Sequence, residues 1–328
     1  MPLPSSAVPR LSAVPGPGAE LDLVLALTST EPVWQLSADA YREEAALRQY
    51  RPEWTWAAWG PDGQVLARAL WWGQSDSAHP IALDCLAVAD EVPGAERATL
   101  AAALLDTGHR AFREAGAAAP PLYNLMKLPG GWRDEPEHVT AVAWRQEAAR
   151  RVGLSVEVER LQFEWTPEAP LPAAPERLVF SPEPDDEVFL RAMLRVAEGS
   201  LDAHTIESEA VNGPEVTARE SLRFYLDRPG KREWWRLAHT KDGALAGLAI
   251  PSATPYSRNV GYLGVVPELR GHGYVSEILA AITRFQAAEG AERVTATTDL
   301  GNRPMAAAFT RAGYRTTETR LIFSMPAD

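Results

Sequence analysis

The sequence predicts an α/β chain built as two tandem domains, each a twisted mixed β-sheet flanked by helices. Three observations lead there. Short β-branched apolar runs alternate with stretches of helical periodicity, most clearly over residues 260–314. Matched segments recur in the two halves of the chain, in the same order. A proline-rich run at residues 166–175 lies between them.

In chain order, residues 1–20 hold Pro2, Pro4, Pro9, Pro15 and Pro17 and no apolar stretch long enough for a secretory signal, so they read as a flexible arm. Residues 21–166 form the first domain. There Asp62-Gly63 separates strand-like runs around Trp59 and Val65, the signature of a hairpin, and Asp242-Gly243 does the same between His239 and Leu245. Arg151-Val152-Gly153-Leu154 and Arg160-Leu161-Gln162-Phe163 line up without a gap against Arg311-Ala312-Gly313-Tyr314 and Arg320-Leu321-Ile322-Phe323, as a duplication requires. Most tryptophans lie in this first half. Trp54 and Trp56 alternate and share a sheet face, whereas the neighbours Trp71 and Trp72 face opposite sides, and core packing is the expected role of each. Residues 167–176 are a semi-rigid linker, and residues 177–328 form the second domain.

A chain of 328 residues with 46% hydrophobic content can fill two cores. Its formal net charge of -12 opposes a nucleic-acid partner, since that affinity rests on basic patches, and an acidic surface suits amine-bearing substrates. The lone Cys85 excludes an intrachain disulfide and a cysteine-based metal cluster and suits a reducing cytoplasm; no metal is expected. No segment approaches the roughly 20 apolar residues that cross a bilayer, so no membrane partner is expected either.

The run Val265-Val266-Pro267-Glu268-Leu269-Arg270-Gly271-His272-Gly273-Tyr274 joins an apolar strand to a helix whose Val275, Ile278, Leu279, Ile282 and Phe285 recur at helical spacing. The first amides of a helix have no partner within it, and the dipole adds positive charge, so this turn is a cradle for phosphate. Gly271 and Gly273 let the backbone curl towards an anion. An ordinary strand-to-helix turn would show the same glycines. Farther on, residues 293–297 read as another strand, and Pro304 and Gly313 suit the first turn and the stop of a last helix.

This order of elements, with these residues, resembles the GNAT superfamily of acyl-CoA-dependent N-acetyltransferases, most clearly over residues 261–314, and the whole chain resembles a tandem GNAT protein. The resemblance implies that the loop of Arg270, Gly271, His272, Gly273, Tyr274 and Val275 binds the pyrophosphate of acetyl-CoA. It implies that Gly264, Val265 and Val266 hold the acetyl and pantetheine groups, and that Asn302 contacts the pantetheine arm. Val275 stands where the family usually has glycine or alanine. Phe309 stands where many members carry a tyrosine that protonates the departing thiolate; phenylalanine donates no proton, so packing is its expected role. Opposite the loop, the first half has Asp90, Glu91, Pro93 and Glu96, three carboxylates and a residue without an N–H, which disfavour a diphosphate. The first domain therefore reads as a degenerate copy without the cofactor loop.

For the acceptor, Glu198, Asp202 and His204 follow the first helical segment of the second half, where this family builds its acceptor pocket. Each can bind or deprotonate an amine, and each reads equally well as part of a polar turn. Tyr256 is a further candidate. Direct transfer needs no enzyme nucleophile, and no Ser/His/Asp or Cys/His arrangement stands out. The expected function is acetylation of a small-molecule amine in the cytoplasm. A non-catalytic acyl-CoA sensor or scaffold is one alternative, and an aminoacyl transferase using charged tRNA is another.

Overall fold

The computed structural model describes residues 8–254 and 256–326, and the chain divides into two compact units. The first runs to Val158 and takes Arg320–Pro326 from the far end of the chain; the second is Glu159–Thr319.

In the first unit, β1 (Arg10–Ala13), β2 (Tyr50–Trp59), β3 (Val65–Trp72) and β4 (Ala82–Val88) are antiparallel neighbours, and β5 (Leu122–Leu128) runs parallel to β4. The crossover between β4 and β5 is α3 (Gly94–Glu114), which shares one sheet face with α4 (Pro136–Arg151). The other face carries α1 (Ala19–Ala26) and α2 (Ala38–Ala46). Strand alternation sorts the side chains between these cores. Trp54, Trp56 and Trp71 pack under α3 and α4, while Leu70, Cys85 and Trp72 pack on the α1 side, so the tryptophans are core residues on the faces their spacing requires. A Cβ on Gly108 of α3 would stand 2.9 Å from the Trp71 ring, which explains why this helix interior tolerates a glycine.

Two strands pass from one unit into the other: β6 (Val156–Trp165) ends in the second unit, and β12 (Arg315–Ser324) ends in the first. The second unit continues with β7 (Leu178–Ser181), α5 (Asp186–Ala197), α6 (Ala203–Asn212), α7 (Pro214–Leu226), β8 (Arg236–Thr240), β9 (Leu245–Ala253), β10 (Arg258–Val265), α8 (Tyr274–Ala288), β11 (Val294–Asp299) and α9 (Arg303–Arg311). Its sheet order is β6-β11-β10-β9-β8-β7, antiparallel except for β10 and β11. Helices α8 and α9 cover one face around Ile278, Leu279, Ala308 and Phe309. Helix α5 covers the other with Phe189, Met193 and Val196, residues at helical spacing that meet Trp235, Leu248 and Ile250. The Asp185 carboxylate caps α5 by accepting from Glu187 N and Val188 N. Both expected hairpins form, with Gly63 and Gly243 at positive φ in the turns.

Two expectations are corrected. Residues 1–20 are not a free arm throughout: Arg10–Ala13 pairs along β2, Val14 is buried, and α1 starts at Ala19, while residues 1–7 lie outside the described part. The boundary between units also falls before the proline-rich run. Strand β6 pairs with β11 from Arg160↔Asp299 to Trp165↔Val294, and Phe163 and Trp165 enter the second core. The run itself is fastened to that unit, because Trp165 Nε1 donates to Pro170 O (3.5 Å) and Arg284 Nη1 donates to Pro172 O (2.9 Å).

Candidate active site

The site is built where two parallel strands part. Strands β10 and β11 pair only at Arg258↔Val294 and Asn259↔Thr295, although β10 continues to Val265 and β11 to Asp299. Among the described residues no hydrogen bond joins residues 260–265 to residues 296–299. On its other edge β10 stays paired with β9 as far as Val265↔Gly247, with a bulge between Val260 and Tyr262. The result is a fork: one edge of β10 faces open space with its backbone donors and acceptors.

At the open end, β10 leads through a single 3-10 turn (Pro267–Leu269) into the loop before α8. Gly271 and Gly273 have φ of 82° and 79°, in the left-handed region, and Gly273 caps α8 without a side-chain hydrogen bond to its first amides. A helix start without a side-chain cap, at the positive end of the helix dipole, is the kind of place where an anion can be held. The one acidic residue of the first turn, Glu277, is directed elsewhere. It accepts from the backbone N–H of Glu176, Arg177 and Leu178 and pairs with the Arg177 guanidinium, which also donates to His272 O at 2.8 Å. Burial works to raise the Glu277 pKa, but the Arg177 backbone N–H and guanidinium outweigh it and hold this carboxyl below its ordinary value. Arg177 also lies over the Tyr274 ring at 4.7 Å. The loop is thus braced from outside by a residue that the sequence did not single out.

Arg270 occupies an unexpected place. Its guanidinium donates to Val265 O (3.1 Å), Gly199 O (3.0 Å) and Val196 O (2.9 Å), tying the end of β10 to the C-terminal end of α5. Val266 N donates to Ala246 O at 3.0 Å. Gly264 is needed for packing, since a Cβ there would lie 2.1 Å from Val196 Cγ1. Val275 packs partly against the core. On the other arm of the fork, Asn302 caps α9, its side chain accepting from Met305 N at 3.4 Å while its own N–H donates to Asp299 O. Beside it lies a hollow of about 540 Å³ lined by Leu161, Leu300, Gly301, Arg303 and Ala306. Phe309 is buried and stacks on Phe163 at 4.9 Å, with Tyr314 at its edge. Tyr314 does not replace the missing hydroxyl, because its phenol is in a buried hydrogen bond with Thr283 Oγ1.

The acceptor-side candidates do not form one cluster. Asp202 is the cap of α6: Oδ1 accepts from Thr205 N (2.9 Å) and Thr205 Oγ1 (3.0 Å), and Oδ2 lies 3.4 Å from Arg160. Glu198 is exposed and pairs with Arg195, and His204 is exposed on α6. Tyr256 is 70% exposed and precedes β10, at the closed end of the fork, so it stands apart from the other three.

Four residues that sequence reasoning left without a role organise this side. Arg160 Nε pairs with Asp299 Oδ1 at 2.9 Å, and Asp299 Oδ2 accepts from Ala203 N at 2.7 Å, so the end of β11 holds the N-terminus of α6. Burial raises the Asp299 pKa against the Ala203 N–H and Arg160. Tyr225 of α7 donates to Gly261 O in the bulge of β10 (2.8 Å) and stacks on Tyr262 at 6.2 Å. Burial, then Asp202 and Glu209, push the Tyr262 hydroxyl up to about 12, and it has no hydrogen-bond partner among the described residues. The signals were present: Arg160 lies in the repeated segment and Asp299 just before Asn302, but nothing local showed their partners.

The first unit contains the corresponding fork with different contents. Strands β4 and β5 pair only at Ala82↔Leu122 and Leu83↔Tyr123. Beyond that, Asp84 accepts from Tyr50 Oη (3.2 Å) and from Asn124 Nδ2 of β5 (3.3 Å), while Arg145 of α4 donates to Leu86 O at 3.1 Å. Arg145 is fully buried and pairs with Glu31, which also accepts from Arg97 (2.5 Å) and Trp144 Nε1 (2.8 Å).

Residues 191–315 match the family described as Acetyltransferase (GNAT) domain. No curated protein sequence matches the chain. Among solved structures, a GCN5-related N-acetyltransferase from Sphaerobacter thermophilus is 18% identical, with 83% of this chain and 80% of that one covered and a TM-score of 0.51. A fungal multi-domain GH3 β-N-acetylglucosaminidase, described as containing a GCN5-related glucosamine N-acetyltransferase region, is 14% identical over 93% of this chain and 37% of that one, with a TM-score of 0.50. A tandem GNAT protein from the clavulanic acid biosynthesis pathway is 18% identical over 94% of each chain, with a TM-score of 0.43. At such identities the likeness is one of fold. The chain carries a GNAT acetyltransferase domain, and its mixed sheet is the GNAT fold. Among the described residues no helix is long and apolar enough to cross a membrane, and no group of three His, Cys, Asp or Glu side chains is placed to hold a metal.

Proposed function

We propose that this protein transfers an acetyl group directly from acetyl-CoA to the amine of a small molecule, at the β10–β11 fork of the second unit. The carrying observation is the fork itself, which opens immediately before a glycine loop and a helix start without a side-chain cap. GNAT domains use acetyl-CoA as co-substrate, and the residues present suit it. The left-handed glycines and first amides of α8 offer a diphosphate site, and the free edge of β10 can pair with the amides of a pantetheine arm. Acetyl-CoA supplies an activated acetyl thioester and a good leaving group.

The rest of the work falls to this chain's groups. Backbone N–H donors on the open edge of β10 polarise the acyl carbonyl and stabilise the oxyanion that follows attack by the amine. Arg270 and Arg177 fix the loop; Asn302 fixes the start of α9. Asp202 positions α6, because its lone pairs already serve Thr205 and Arg160, and the amine proton leaves through water towards the exposed carboxylates beside it. The Tyr262 hydroxyl, unpartnered on the acceptor side of β10, is the proton donor nearest in chemistry to the tyrosine that Phe309 replaces. On this reading the protein is cytoplasmic and the first unit binds no acyl-CoA.

Calorimetric titration with acetyl-CoA tests the first step: saturable binding is expected, and no heat at high micromolar ligand refutes it. A Gly273→Asp variant should lose that binding. A second reading, an acyl-CoA sensor without catalysis, draws on Phe309; it predicts binding without acceptor-dependent thiol release when amines are screened.

A further inference from the structure

We propose that the second unit holds an accessory site for a small aromatic monocarboxylate, separate from the acyl-transfer fork. The site is a cavity of about 300 Å³ between the C-terminal half of α8 and the face of β7, β8 and β9. Its apolar walls include Phe180, Trp234, Ile282 and Phe285, and its charged lining residues are Arg236 and Arg284, with no Asp or Glu. That volume is at the small end of ligand pockets, about the size for a single ring and its substituent.

The charge is the decisive feature. This chain has 44 acidic against 32 basic residues, and many of its arginines are paired with carboxylates. Arg236 and Arg284 have no such pairing among the described residues. Arg236 Nη1 donates to the carbonyls of Glu233 (2.5 Å) and Trp235 (2.8 Å), and Arg284 Nη1 donates to Pro172 O (2.9 Å). A third guanidinium, Arg258, lies over the Trp234 ring at 4.4 Å, and Trp234 meets Phe285 at 5.6 Å. Backbone carbonyls orient these groups without neutralising them. Uncompensated guanidinium charge beside aromatic walls fits a planar apolar body carrying one anionic group: the rings take the body, and the planar N–H forks take the carboxylate.

The site is distinct from the acyl-CoA cradle. Residues 281–285 lie two to three helical turns beyond Tyr274, roughly 10–16 Å along α8. An aromatic occupant also suits the framework around it, because Arg236 and Trp234 are held by the short 3-10 turn Arg232–Trp234 before β8 and Arg284 by the proline-rich run.

The test uses the full chain and benzoate as the probe, with benzamide as a neutral match, acetate as an anion without the ring, and inorganic phosphate as a competitor. Ligand-observed NMR should give saturable benzoate binding about tenfold or more tighter than benzamide or acetate. The double variant Arg236→Gln, Arg284→Gln should weaken benzoate at least tenfold and leave weak benzamide binding unchanged, at a melting temperature near the parent's. Should that variant fold poorly, Ala281→Leu fills the cavity without touching charge and should abolish binding of both rings. Benzoate no tighter than benzamide, phosphate displacing benzoate as well as benzoate itself, binding unaffected by Ala281→Leu, or no saturation at about 10 mM would each overturn the assignment.

Discussion

Replacing Arg270 separates two roles that the sequence motif alone combines. If the guanidinium is a strap, Arg270→Ala removes hydrogen bonds to Val265 O, Val196 O and Gly199 O. Each such bond contributes about 0.5–1.5 kcal/mol net, and because the arginine is exposed the low end applies to each, about 1.5 kcal/mol for the three together. For a unit of this size that corresponds to a fall of roughly 2–8 °C in Tm. Acetyl-CoA affinity should then fall less than tenfold, because the backbone amides of α8 still face the diphosphate. If the guanidinium instead swings out to the phosphate, the loss is that of a charged hydrogen bond, about 1.5–3 kcal/mol or roughly 10–150-fold in Kd, with stability unchanged. Differential scanning calorimetry and isothermal titration on the same preparation read both quantities. A Tm within 1 °C of the parent together with more than about a tenfold loss of affinity would refute the strap.

Three further outcomes follow from the packing. Gly264→Ala places a methyl against Val196 Cγ1 and should cost about 1–3 kcal/mol, with Val196→Ala in the same chain restoring most of it; chemical denaturation of the single and double variants checks this. Glu31→Leu leaves the buried Arg145 without its carboxylate and should destabilise the first unit by about 3–5 kcal/mol; a loss under about 1 kcal/mol by denaturation would contradict the pairing. Burial raises Asp84 to about 6, so between its ordinary value and pH 6 the folded state holds the extra proton and stability falls as pH rises. Burial lowers His109 to about 4, so between pH 4 and its ordinary value the unfolded state holds the extra proton and stability rises with pH. The two oppose each other, and Asp84→Asn should therefore lose more stability than the parent on going from pH 6.5 to pH 4.5, measured by Tm; identical slopes would contradict the assignment.

What could be read from the sequence was whatever has a local cause. Gly271 and Gly273 were legible because a left-handed turn before a helix favours glycine, Asn302 through the family resemblance, and the hairpins because Asp-Gly suits their turns. Phe309 was legible as packing for lack of a polar atom. The rest depended on partners distant in the chain. Arg270 finds its acceptors on α5 and the turn after it, more than 70 residues earlier, and nothing in the loop indicates that. Tyr225 and Tyr262 look like ordinary core aromatics until the bulge at Gly261 brings one hydroxyl to a carbonyl and leaves the other unpartnered. The unit boundary was missed because strand pairing, not composition, decides it: β6 has the same apolar pattern whichever sheet it joins. The strand Arg10–Ala13 was hidden among prolines, which are tolerated around short edge strands.

The duplicated fork makes the functional argument sharper than either unit alone would. In both units two parallel strands pair for two residues and then separate, exposing backbone groups that need partners. In the first unit side chains bridge the gap. Asp84 and Asn124 join the two strands side chain to side chain, and Arg145 reaches the Leu86 carbonyl from α4, held in place by Glu31. Asp90 accepts from Thr30 N and Ser29 Oγ, which lays that segment over the loop before α3. In the second unit the arms of the fork share no such bond among the described residues, and the acidic residue of the first α8 turn is turned away to Arg177. A fork bridged by side chains in one copy, and not bridged among the described residues in the other, fits the proposal that the acyl-CoA enters the second unit alone.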